Sequence, residues 1–95
     1  MKIVLLEDEP LAQQRIMQML QKMDPSLSVV QCIDSVESGL SWFAQHPETP
    51  IDLIIADIQL GDGLSFELLE QINLKKPIIF VTAYDEYALK AFAFY

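Results

Sequence analysis

The chain has 95 residues, 52% of them hydrophobic, and a formal net charge of −8. That length limits it to one domain at most, and an acidic chain repels nucleic-acid backbones, which bind through lysine and arginine, so this segment is not expected to contact DNA itself. No apolar stretch approaches the roughly 20 residues needed to span a bilayer, nothing at the N-terminus resembles a secretory leader, and a single cysteine, Cys32, excludes an internal disulfide; the expected location is a reducing cytoplasm, with no membrane partner.

Residues 2–7 read as the first strand, built on Ile3-Val4-Leu5-Leu6. An apolar run without alternation fits a strand buried on both faces, as in a parallel sheet covered by helices. It delivers an acidic cluster, Glu7-Asp8-Glu9. Pro10 suits the first turn of a helix, with Glu9 before it in cap position. Ala12, Ile16, Met19, Leu20 and Met23 fall at helical spacing and predict its buried stripe. Asp24-Pro25-Ser26 ends that helix, and residues 27–33 form a second strand in which Cys32 reads as an inert core thiol.

Asp34-Ser35 opens a second helix with Val36, Leu40, Phe43 and Ala44 on one face. His46 to Pro50 is a turn, and His46 reads as a solvated cap residue. Residues 51–56 are a third continuously apolar strand that ends at Asp57. A loop with Gly61-Asp62-Gly63 follows. Its glycines read as turn residues, since no phosphate-cradling glycine motif is present. Leu64, Leu68, Leu69 and Ile72 mark a third helix. Residues 77–82 give a fourth strand whose Ile78-Ile79-Phe80-Val81 reads as fully buried, and Ala88, Leu89 and Phe92 belong to a final helix running to the end. Trp42, Phe43 and Phe66 are read as packing residues.

Strands alternating with helices imply βαβ units and a parallel sheet. Ligands of such sheets bind beyond the carboxyl ends of the strands. Glu7, Asp8 and Asp57 would converge there, and a hard divalent cation with oxygen ligands is the simplest way to hold three repelling carboxylates together. Four strands and four helices leave one face thinly covered. The fourth strand is then expected to be an open apolar edge that promotes self-association, and the chain reads as a piece of a larger protein.

Leu6-Glu7-Asp8-Glu9-Pro10, Ile55-Ala56-Asp57-Ile58-Gln59-Leu60 and Phe80-Val81-Thr82-Ala83-Tyr84, in this order, resemble the receiver domain of bacterial two-component response regulators. Residues 82–92 further resemble the LytR/AlgR class, whose output is a LytTR-type DNA-binding domain. The resemblance implies an α/β fold, a flavodoxin-like (CheY-like) doubly wound parallel sheet of order 2-1-3-4-5, here truncated before the fifth strand and helix. Residues 1–95 would be an incomplete receiver domain lacking its C-terminal output domain. DNA would be a partner only through that missing domain, and transcription regulation the outcome.

By the same resemblance, Asp57 is the phosphoacceptor, and the phosphoryl donor is a sensor histidine kinase. Magnesium is held by Asp8, Asp57 and the backbone carbonyl of Gln59, with Glu7 reaching it through water. Thr82 hydrogen-bonds the phosphoryl group and signals its presence, while Tyr84, Tyr87 and Phe92 form a switch surface. The chain departs from the family in lacking the fifth-strand lysine that pairs the phosphoryl group; Lys90 falls in the preceding helix. A homodimer is expected for a form that continues past Tyr95. The chain is not read as an enzyme. Magnesium-dependent phosphatases of the haloacid-dehalogenase type need an acid two positions after the nucleophile, where this chain has Gln59. The other rival is a receiver-like interaction module that signals without phosphate.

Overall fold

In the computed structural model, which describes residues 1–81 and the strand Ala93–Phe94, Ile3, Val4, Leu5 and Leu6 are all withdrawn from solvent. They belong to β1 (Lys2–Leu6). Then come α1 (Pro10–Met23), β2 (Ser28–Ile33), α2 (Val36–Gln45), β3 (Leu53–Ala56), β4 (Gln59–Leu60), β5 (Gly63–Leu64), α3 (Ser65–Ile72), β6 (Ile78–Phe80) and β7 (Ala93–Phe94). The main sheet has the order β2-β1-β3-β6-β7, and β4 and β5 form a separate hairpin. β1 runs parallel to both β2 and β3, and β3 parallel to β6.

Because side chains alternate across a strand, the buried strands feed two cores. Val4, Leu6, Ile54, Ala56, Ile78 and Phe80 pack with Val36 of α2 and Leu68 and Leu69 of α3, and Trp42, Phe43 and Phe66 border this cluster. Ile3, Leu5 and Ile55 face the other way, against Ile16, Met17 and Leu20 of α1 and against Cys32. The central strands β1 and β3 are therefore covered on both faces, as a buried parallel sheet requires.

Several residues lie elsewhere than their spacing predicts. Met19 and Met23 are 62% and 74% exposed, and Met17 takes the inward place. Successive residues turn by about 100° around a helix, and the buried arc of α1 is centred near Leu20. Met19 falls on its flank, and Met23 sits at the last position of the helix. Glu9 precedes α1 without making a side-chain cap. Ala44 is exposed. Leu64 is 43% exposed, because it belongs to the hairpin and precedes α3 instead of packing within it. Ile79 and Val81 are 39% and 42% exposed, so the fourth apolar run is buried on one face only.

The expected bare edge is also corrected. β7 pairs antiparallel with β6, Ile78 opposite Phe94 and Ile79 opposite Ala93. The strand predicted to lie open is thus occupied, and Ala93 and Phe94 are extended, where the apolar pattern predicted a helix. The pairing removes the open edge on which the expected self-association rested. The rest of the predicted last helix lies outside the described residues.

α2 and α3 meet at Gly39. A Cβ there would overlap Leu68 Cδ2 and crowd Leu68 Cδ1 at 3.1 Å and Ile33 Cγ2 at 3.2 Å. Leu68 is fully buried, so its methyl groups can shift only by displacing neighbours in a close-packed core. Gly39→Val should therefore destabilise the fold by about 1–3 kcal/mol through overpacking, lowering the urea midpoint; an unchanged midpoint would show that the helices separate without cost.

Candidate functional site

Glu7 follows β1 and Asp57 follows β3, and backbone pairing continues one step beyond each strand. The Glu7 N–H donates to the Ile33 carbonyl at 2.9 Å, and the Asp57 N–H donates to the Leu6 carbonyl at 2.8 Å. Since Leu6 stands opposite Ala56, the residues after them emerge side by side at one end of the sheet. Asp8 comes next in the chain after Glu7. The three side chains offer ligand oxygens that all lie within 4.8 Å of one another.

Glu7 is 6% exposed, while Asp8 and Asp57 are half-buried. Glu7 Oε2 accepts the Glu9 N–H at 3.1 Å, and the Gln13 side-chain amide donates to the Glu7 carbonyl at 2.7 Å. Asp57 Oδ1 accepts the Gln59 N–H at 3.4 Å. The hairpin of β4 and β5 runs along the rim: a Cβ at Gly61 would lie 3.6 Å from Asp8 Oδ2. Ser65 fixes its base, giving both its N–H (2.9 Å) and its Oγ (3.2 Å) to the Ile58 carbonyl.

Burial is the main force on the ionisation of Glu7 and Asp57. It pushes Glu7 up to about 7, the Glu9 N–H opposes the rise, and the charges of Asp57 and Asp8 add to it. Burial also raises Asp57, against the N–H groups of Gln59 and Ile58, with the Asp8 and Glu9 charges adding to the rise. Glu7 and Asp57 are thus harder to ionise than they would be in water. A cluster of hard carboxylate oxygens with repelling charges is the donor set that a small divalent cation satisfies, so the residues present fit such an ion.

Of the residues singled out from sequence, Glu7, Asp8 and Asp57 come together, and Gln59 opens the hairpin beside them. Thr82, Tyr84, Tyr87 and Phe92 lie outside the described residues. His46 is exposed, with Nδ1 2.8 Å from the Trp42 carbonyl and its ring stacked on Trp42. Sequence reasoning missed Gln13, Ser65 and Asp62. Gln13 and Ser65 are polar residues beside apolar stripes, a weak signal of an inward partner. Nothing local marks the long-range contact of Asp62, whose carboxylate accepts the Val36 and Glu37 N–H groups.

The family model of the response regulator receiver domain matches residues 3–94. LytT, a sensory transduction protein of Enterococcus faecalis, is 36% identical over 95 residues, covering 97% of this chain and 38% of that protein. BtsR, a transcriptional regulatory protein of Escherichia coli, is 36% identical over 93 residues, covering 96% of this chain and 37% of that protein. The crystal structure of the response regulator PhyR from Brucella abortus matches with a TM-score of 0.74 at 28% identity, over 95% of this chain and 36% of that one. The chain therefore spans well under half the length of these three proteins.

The raised acids make stability depend on pH in a definite direction. Between the ordinary value of 4.5 and about 7, Glu7 holds its proton in the folded chain and releases it in the unfolded one. The unfolded state then binds fewer protons, so stability falls as pH rises through that window. In chelator, the urea midpoint should drop between pH 5 and pH 7.5. Glu7→Gln should flatten the drop, and millimolar magnesium should reverse part of it by binding only the folded site. An equal drop in Glu7→Gln would remove Glu7 as its source.

Proposed function

This chain belongs to the response regulator receiver domain family, and we propose that it is a phosphoryl-accepting switch whose acceptor is Asp57. The observation that carries this reading is the meeting of Glu7, Asp8 and Asp57 within 4.8 Å at the ends of two adjacent parallel strands. In the proposed step an Asp57 carboxylate oxygen attacks phosphorus, an O–P bond forms, and the N–P bond of a phosphohistidine breaks and leaves the imidazole on the donor. The donor is a sensor histidine kinase. Phosphoryl transfer asks mainly for positioning and neutralisation of charge on the transferred oxygens.

Magnesium, when bound by Asp8, Asp57 and the Gln59 carbonyl with Glu7 reaching it through water, supplies the positive charge that offsets carboxylate and phosphoryl repulsion. The chain's own part is to aim Asp57. Its backbone is pinned to β1, one carboxylate oxygen is engaged by the Gln59 N–H, and its half-burial leaves the carboxylate accessible. Thr82, directly after the exposed Val81, is the proposed hydroxyl partner of the phosphoryl group, and Tyr84, Tyr87 and Phe92 the surface that reads its arrival. Gln59 supplies no acid for turnover, which supports a switch over a hydrolase. The length of LytT and BtsR beyond the matched region supports a larger protein, in which a LytTR-type DNA-binding domain is the output and transcription the controlled process.

Incubation with acetyl phosphate and magnesium should add one phosphoryl mass to the intact chain, and Asp57→Asn should abolish the gain. Asp8→Asn should weaken magnesium binding and slow the labelling by at least about tenfold, the scale found even for residues one shell beyond a metal's ligands. No added mass in the unaltered chain, or a gain that survives in Asp57→Asn, would overturn the assignment.

A further inference from the structure

Asp62 stands at the tip of the β4–β5 hairpin, between two glycines, with its side chain in solvent. Both of its carboxylate oxygens are nonetheless engaged. Oδ1 accepts the Val36 N–H at 2.7 Å and Oδ2 accepts the Glu37 N–H at 3.0 Å. These are the first two backbone donors of α2, more than 20 residues earlier in the chain, and they hold the Asp62 carboxyl below its usual range. The third donor, the Ser38 N–H, goes to Ser35 Oγ at 3.0 Å. The start of a helix leaves such donors without intrahelical partners, so α2 is capped jointly by its own Ser35 and by a carboxylate from the hairpin.

That hairpin is also the rim of the acidic site. Gln59 opens it and touches Asp57 through its N–H, Gly61 lies beside Asp8, and Ser65 clamps its base to the Ile58 carbonyl. Asp62 anchors the opposite end. Ile58 and Leu60 pack the base of the hairpin into the core, whereas its tip projects into solvent and is attached through the two Asp62 bonds.

We propose that Asp62 is a positioning residue for the acidic site: by bridging to the N-terminus of α2 it holds the hairpin that carries Gln59 and borders Asp8, and so sets the affinity of the site for its cation. The inference rests on reading Glu7, Asp8 and Asp57 as a magnesium site. Ser35 provides the control, because Ser35→Ala also removes a cap of α2 but leaves the bridge intact.

The test is calorimetric titration of the whole chain with magnesium chloride, paired with amide hydrogen exchange of the metal-free protein. Asp62→Ala should raise the magnesium dissociation constant about tenfold, the scale of residues that orient a metal's ligands. Asp62→Asn, which keeps one acceptor oxygen, should fall between. Ser35→Ala should stay within about twofold of the unaltered chain, since it weakens only the helix start. Without metal, residues 58–64 should exchange faster in Asp62→Ala and not in Ser35→Ala. Unchanged affinity in both Asp62 variants, or an equal loss in Ser35→Ala, would overturn the proposal. If the unaltered chain binds no magnesium, the reading of the acidic site fails by itself; exchange then decides the bridge, which unchanged protection of residues 58–64 in Asp62→Ala would exclude.

Discussion

Three carboxylates of like charge are held within one pocket, and the strands that hold them there have no freedom to separate. β1 is buried on both faces and paired on both edges, and β3 lies directly against it in register. A slip by one residue would turn Ile3, Leu5 and Ile55 toward the wrong core. The hydrophobic order of the sheet therefore keeps Glu7 and Asp57 adjacent against their mutual repulsion. Burial and repulsion together raise both acids, and a site whose charges cannot relax by moving apart can relax only by binding a proton or a cation.

The surroundings of the pocket differ on its two sides. On one face α2 and α3 close over the sheet, and Gly39 lets them approach until Leu68 fills the space between them. On the other, α1 covers β1 and its neighbours, while Ile79 and Val81 keep about two-fifths of their surface in contact with solvent. The segment after Asp57 is tied into the better-covered side. Ser65 at the start of α3 binds the Ile58 carbonyl, and Asp62 binds the start of α2. The segment that follows Asp57 is thus joined to two helices through short, directional bonds.

Much of the fold is legible in the chain. The apolar runs at 3–6 and 53–56, the proline that opens α1 and the serine that caps α2 mark their elements, and the strand ends point to the acids that follow. Where the reading failed, the cause was tertiary. The expected stripe of α1 holds at Ile16 and Leu20, yet the sheet takes Met17 and leaves Met19 and Met23 in solvent. Leu64 looked like a helix residue and is part of a hairpin. Ile79 looked buried because its neighbours are, although covering each face of a strand requires a separate packing partner. Ala93 and Phe94 carry a helix-compatible apolar pattern and instead complete a sheet edge, since an unpaired strand edge is satisfied by whatever extended segment reaches it.

Taken alone, the order of residues determined the alternation of strand and helix from β1 to β3, which positions are apolar, and that acids stand directly after two strand-forming runs. Those properties depend on neighbours a few positions apart and survive in a one-dimensional reading. Tertiary structure decided that β1 lies between β2 and β3, that Glu7 and Asp57 emerge level with each other, and that Asp62 reaches back to Val36 and Glu37. These contacts join groups that are 25 or more positions apart. Their partners are selected by packing in space, and local periodicity contains no record of that selection.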